Sequence, residues 1–328
     1  MSLGNFFIIF ILLGLFGCIQ TETAGNYRGE KTASSIFASP NEGGNRLFDR
    51  KLKELKIPKD IRQFRQVHLN KCRVVYQEQG DSINSIIAYG KALAAMGNMN
   101  SAIDVFNRGL VIYPESHRLL RYRGHAYLML RKLNNAIEDL KNAAYYSRGK
   151  NREFDFPGFE TSSYTNRFTI RYNIYYYLGV SFYIKGNYDK AVSSFKKCLD
   201  VSFNGDLKVG AIDWLYMTYR RIGNMELANA QLKYIDKKTK VSFFYAHLYN
   251  ILLYKQMRSP KQLVKYFENY EYEGNSATQL YGLGSWYLHS GDLERATALL
   301  EQAVGELNWN NSGVLAAEAD LFTLKSNL

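Results

Sequence analysis

Cysteine is scarce in this chain, with three among 328 residues, at positions 18, 72 and 198. That excludes a disulfide framework, in which an even set of closely spaced cysteines staples a small core. Proline is equally rare at five, so neither a proline-rich spacer nor a frequently broken chain is expected. The five histidines, His68, His117, His125, His247 and His289, are dispersed, and none pairs with another at metal-ligand spacing. No Gly-x-Ser-x-Gly elbow occurs and no paired carboxylates stand out. Gly282-Leu283-Gly284 is not preceded by a strand pattern, so its glycines read as close-packing positions rather than a nucleotide loop. The longest apolar run, Phe6–Phe16, is shorter than the about 20 residues a membrane-spanning helix needs. The chain therefore offers no catalytic residue, metal site or cofactor, and reads as a non-enzyme. An enzyme with a site assembled across distant segments stays open as an alternative.

What the chain does have is a long period. Gly90, Ala102, Phe106 and Gly109 are followed 34 residues on by Gly124, Ala136, Leu140 and Ala143. The pattern returns as Gly179, Ala191, Phe195 and Cys198, and again as Gly284, Ala296, Leu300 and Ala303. A fixed long period marks stacked units, none of which can bury its apolar face alone. Small residues let paired helices approach, while Ile86, Tyr89 and Leu93 or Tyr175, Leu178 and Phe182 repeat at helical spacing. Gly97-Asn98, Gly186-Asn187, Gly223-Asn224 and Gly291-Asp292 supply turns where left-handed backbone ends a helix. Cys198 holds a small-residue place, so a buried thiol is expected there, not a bridge to Cys72. The fold expected is all-α, an α-solenoid of stacked helix–turn–helix units.

Ile86…Tyr89-Gly90…Leu93…Ala102…Phe106…Pro114 and Leu283-Gly284…Tyr287…Ala296…Ala303 resemble the tetratricopeptide repeat (TPR) family. About six units fall at 83–116, 117–150, 172–208, 209–242, 243–276 and 277–310, with an insertion at 149–171. The insertion carries Phe154, Phe156 and Phe159, expected to fold back over Tyr145 and Tyr146, with an exposed contact site on the loop as the alternative. Residues 46–82 read as N-terminal capping helices broken at Pro58, and 311–328 as a C-terminal capping helix.

The resemblance implies a ligand groove on the first helix of each unit. Transferred position by position, it contains Lys91, Arg118, Arg121 and His125, then Asn173, Tyr176 and Tyr183, and finally Asp213, Arg220 and Tyr281. Such a groove, basic at one end and aromatic beyond, suits a protein or peptide partner with acidic groups at one end. The family's clamp for C-terminal carboxylates needs Lys and Asn at places where Ile87 and Lys91 stand here, so that ligand is not expected.

Residues 1–17 read as a signal peptide. Leu15-Phe16-Gly17-Cys18 resembles the lipobox of bacterial lipoproteins, which implies cleavage before Cys18 and acylation of its thiol. An ordinary secretory signal and an uncleaved anchor are the other two readings; all three place the repeats outside the cytoplasm. Residues 18–45 form a polar tether with too little apolar content to fold, with a coil reach of roughly 30 Å. The formal charge of +12 gives a second alternative, a peripheral protein reading anionic lipid or glycan through a basic face. Nucleic acid is not an expected partner, because no recognition motif accompanies the charge. The sequence thus points to a lipid-anchored TPR scaffold of the bacterial cell envelope, binding a partner in its concave groove and supporting assembly of an envelope complex.

Overall fold

The computed structural model describes residues 52–155, 168–267, 273–306 and 308–326. The signal peptide, Cys18, the tether, and Phe156 and Phe159 of the insertion lie outside the described residues. Fourteen helices are described: α1 (Lys59–Glu78), α2 (Ile83–Ala95), α3 (Met99–Ile112), α4 (His117–Met129), α5 (Leu133–Tyr146), α6 (Ile170–Ile184) and α7 (Tyr188–Asp200), then α8 (Gly205–Ile222), α9 (Met225–Leu232), α10 (Tyr245–Tyr254), α11 (Pro260–Phe267), α12 (Glu273–Ser290), α13 (Leu293–Glu306) and α14 (Ser312–Ser326). They form an all-α solenoid of antiparallel helix pairs, α2–α3, α4–α5, α6–α7, α8–α9, α10–α11 and α12–α13, each packed on the next.

The periodic residues are what hold the pairs together. Ala102, Ala136, Ala191 and Ala296 have no exposed surface, nor do Leu140, Phe195 and Leu300 that follow them. A side chain at Gly179 would stand 2.5 Å from the Phe195 ring, and one at Gly90 would enter the Phe106 ring. The small residue is therefore the space into which the partner helix inserts its large one. The second helices of the fourth and fifth pairs, α9 and α11, have only eight residues each, against 14 in α3 and α5. The period is faintest in the sequence over these two pairs.

Within the pairs the turns use left-handed backbone: φ is +86° at Gly97, +77° at Gly186, +80° at Gly223 and +86° at Gly291. The second and fifth pairs depart from this, with Arg131 at φ 62° and Gln256 at φ 56° in the place of glycine. A long side chain in that conformation is strained. Arg131 is held by a buried ion pair, its Nη2 to Glu318 Oε1 at 2.7 Å, and by a bond to the carbonyl of Trp309 at 3.0 Å.

The far partner of that contact is α14. Every residue from Gly313 to Leu321 is buried, so all sides of this stretch are covered, by α6, α12 and α13 among others. More than an end cap, α14 lies inside the curve of the coil. Gly313 permits this approach, because a Cβ there would meet the Ala277 backbone.

The two ends of the coil also touch. The backbone N–H of Lys56 donates to Asn308 Oδ1 at 2.7 Å, and Asn308 Nδ2 donates back to the Lys56 carbonyl at 3.0 Å. Trp309 Nε1 donates to the Lys53 carbonyl at 2.7 Å. Leu55, buried, packs on the Gly97 turn along the way.

Candidate functional site

Most of the groove residues sort into three clusters, each bonded to other residues of the chain. The first is built around Asp155, the last described residue before 156–167 of the insertion. The insertion leaves and returns through a single antiparallel bridge between Phe154 and Thr169, with Asp155 N–H donating to the Phe168 carbonyl at 2.8 Å. That bridge aims the carboxylate into the basic end of the groove. Arg121 Nη2 lies 2.6 Å from Oδ2, Asn173 Nδ2 donates at 2.7 Å, Tyr122 OH donates at 2.6 Å, and Lys91 Nζ lies 3.5 Å away. Burial pushes the Asp155 carboxyl up, but Arg121 and Lys91, with the bonds from Tyr122 and Asn173, outweigh it and hold it below the usual range. Burial also brings Lys91 down to about 8, against the pull of Asp155 and helped by Arg121. The acidic group expected from a partner at this end is thus supplied by the chain itself.

The Phe residues of the insertion were expected over Tyr145 and Tyr146. Phe154 instead packs edge-on against Phe203, with ring centres 6.0 Å apart, because the bridge to Thr169 turns it toward the end of α7. Tyr145 stays 59% exposed under the guanidinium of Arg148.

His125 borders the first cluster, its ring 4.3 Å from that of Tyr177. Burial, then the neighbouring Arg121, push its imidazole from 6.5 down to about 3. The unfolded chain takes up this proton near pH ~6.5 whereas the folded chain resists it, so stability present above that value declines as the pH falls toward about 3. Burial of His117 and of His289 pushes their imidazoles the same way. Urea midpoints measured across this window are expected to fall, and less steeply in His125→Gln.

The second cluster joins the groove to α14. Tyr281 OH donates to Tyr183 OH at 2.7 Å, and Arg221 Nε donates to the same oxygen at 3.0 Å. Arg221, with no exposed side-chain surface, pairs with Asp320 of α14. Tyr183 and Tyr281 both lie against the Trp214 indole, at 5.2 and 5.8 Å. In the third cluster, fully buried Asp213 faces His247 Nδ1 at 2.7 Å and accepts from Asn250 Nδ2 at 3.1 Å. Two further groove residues are occupied locally: Arg118 donates to Asn84 at 3.0 Å, and Arg220 donates to Tyr216 OH at 2.9 Å and to the His289 carbonyl at 3.2 Å.

What stays open between the clusters is a recess of about 250 Å³. Tyr172, Tyr176 and Tyr177 of α6 form one wall, Phe243, Phe244 and His247 a second, and Thr278, Ser312 and Gly313 the far side. Tyr176 is fixed by Trp214 Nε1, which donates to its hydroxyl at 2.8 Å. Asp206 fixes the second wall, its carboxylate accepting from the backbone N–H of Phe243 and of Phe244 at 2.8 Å each. Among the described residues, no carboxylate, lysine or arginine lines this space. A second recess of about 280 Å³, between Lys150, Arg152, Arg171, Glu153 and Asp200, contains none of the expected groove residues. Among the described residues no group of three His, Cys, Asp or Glu side chains could hold a metal ion.

Of the expected groove residues the structure brings Lys91, Arg121 and Asn173 together on Asp155, joins Tyr183 to Tyr281, and places Tyr176 in the recess. Sequence reasoning missed Asp155, His247, Asp320 and the Arg131–Glu318 pair. His247 was within reach, since it stands one period after Asp213, as Arg118 stands one period after Asn84.

Residues 172–204 match the tetratricopeptide repeat family. Among solved structures the chain is similar to MamA, at 16% identity over 62% of this chain and 100% of that one, with a TM-score of 0.40. It is similar to YrrB, described as a TPR protein with an unusual peptide-binding site, at 13% identity over 72% and 92% of the two chains, TM-score 0.41. A tetratricopeptide repeat protein from Parabacteroides merdae is 16% identical over 77% and 90%, TM-score 0.47. No curated protein matches the chain. At these identities no residue role passes from those proteins to this one.

Proposed function

We propose that this chain is a scaffold that seats an uncharged, apolar segment of a partner protein in the aromatic recess of its concave face. The observation that carries the reading is the recess itself. It is walled by α6, the start of α10, α12 and the start of α14, it contains Tyr176 of the expected groove, and aromatic rings form about half of its lining. Aromatic pockets of this kind anchor one or two side chains of a bound segment. At the basic end of the groove Asp155 already takes up Arg121, Tyr122 and Asn173, so an acidic ligand is not the one this reading seats.

The same reading ties the scaffold to a membrane of the bacterial envelope through acylated Cys18, where it holds partners of an envelope complex. The short apolar run, the small residue before Cys18 and the polar stretch after it support that anchor. Avidity would come from the tether rather than from covalent chemistry.

Thr278, on the rim of the recess, is the position from which to test this. With p-benzoylphenylalanine there, illumination of cells is expected to yield adducts to one protein, mapped by mass spectrometry to one apolar segment. Adducts confined to lipid, or none, would remove the partner reading. The intact mass should show residues 1–17 gone and acyl chains added; an unacylated chain would remove the anchor and leave the recess untouched.

A further inference from the structure

The segment between α9 and α10 is a rigid basic turn. Asp236 organises it: its Oδ1 accepts from Lys238 N–H at 2.8 Å and from Thr239 Oγ1 at 3.3 Å, while its own N–H donates to Thr239 Oγ1 at 3.1 Å. Lys255 ties its start, donating to the carbonyls of Leu232 and Ile235 at 3.1 and 2.5 Å. Ile235 is buried at 1% exposure, and the backbone of Lys240 lies against Gly205 at the start of α8. The acidic groups nearby are therefore committed: Asp236 to the turn, and Asp206 to the N–H groups of residues 242 to 244.

What projects is different in kind. Lys233, Lys237, Lys238 and Lys240 are exposed, and none has an ion-pair partner among the described residues. Tyr234 between them is 76% exposed. Ordered backbone with a bare tyrosine among unpaired lysines is not needed for the solenoid, whose contacts are made by Ile235 and Leu232.

We propose that this turn is a docking surface for an anionic lipid bilayer, seating Tyr234 at the headgroup level while the four lysines face lipid phosphates. Tyrosine suits that boundary because one end of its ring is apolar and the other hydrogen-bonds to water. Lysines suit it because their long stems lie along apolar surface while the ammonium stays wet, and each gains from the negative surface potential. A partner read by shape, such as a folded acidic protein or a nucleic acid, is less well matched, since no arginine is present in 233–240 for bidentate pairing. This surface is independent of the aromatic recess.

Flotation of the full chain with vesicles tests it, comparing pure phosphatidylcholine with phosphatidylcholine containing phosphatidylglycerol. The apolar run 6–16 acts on both vesicle types and drops out of the ratio. The wild-type chain should prefer the anionic vesicles by about tenfold or more. Replacing Lys233, Lys237, Lys238 and Lys240 by Glu should abolish that preference. A control of equal charge change, with Lys71, Arg108, Lys141 and Lys196 replaced by Glu, should keep it. Tyr234→Ala should weaken binding severalfold with the charge unaltered. Equal loss in the two charge variants would show that net charge and not this turn is responsible, and absence of any preference in the wild-type chain would likewise overturn the proposal. Circular dichroism establishes that all variants are folded, as expected for exposed side chains.

Discussion

Asp320→Ala is expected to lower stability by about 3–5 kcal/mol, the cost of leaving a buried charge without its partner. Arg221 has no exposed side-chain surface, and it also donates to the hydroxyls of Tyr183 and Tyr281. Burial opposes the charged guanidinium, but Asp320 beside it holds the proton firmly in place. Without the carboxylate the charge can neither leave nor reach water. A lower urea midpoint, together with faster proteolysis near residues 308–312 as α14 loosens, is the expected result. The double variant Arg221→Met/Asp320→Leu should cost less than Asp320→Ala alone, because it removes both charges at once. If the single and double variants are equally unstable, the pair is not what holds α14 in the coil.

Asp155→Ala should have an effect of similar size, and a second consequence in binding. It leaves Arg121 and Lys91 close together without their shared acid, in a site where Asp155 itself is almost wholly buried. Lys91, already at about 8, is the group that can relax by losing its proton, so the loss should fall toward the lower end of about 3–5 kcal/mol. The chain at Asp155 would lose its bonds to Arg121, Tyr122 and Asn173 in the groove. The variant should then bind a fluorescent glutamate-rich peptide that the wild-type chain ignores, because the donors that Asp155 occupied become available. A wild-type chain that binds that peptide as well as the variant would mean that Asp155 does not block the basic end.

The helix pairs were legible in the sequence because their packing is a local steric matter. A missing Cβ at Gly179 and a ring at Phe195 are close in the chain, and 34-residue spacing repeats the arrangement without reference to distant parts. The long-range pairs were not legible for the opposite reason. Arg131 and Glu318 are 187 residues apart, and their meeting depends on the accumulated rotation from each pair to the next, which no single spacing encodes. Two local signs were nevertheless present. Arg131 stands where four of the other five turns have glycine, and α14 carries Glu318 and Asp320 in an otherwise apolar stretch. Each is a residue out of keeping with its surroundings, and each proves to be held by a buried partner. Asp155 gave less warning, because an insertion has no period from which to depart.

The clasp between Lys53, Lys56, Asn308 and Trp309 alters how such a molecule comes apart. An open stack of repeats frays from its outer turns inward, each stabilised by one neighbour only. When first and last turns grip each other, neither is outermost, and peeling cannot begin until the latch opens. The chain should therefore melt more nearly as one body than a rod of the same number of helices, and stay shut to a protease that trims open solenoids from their tips.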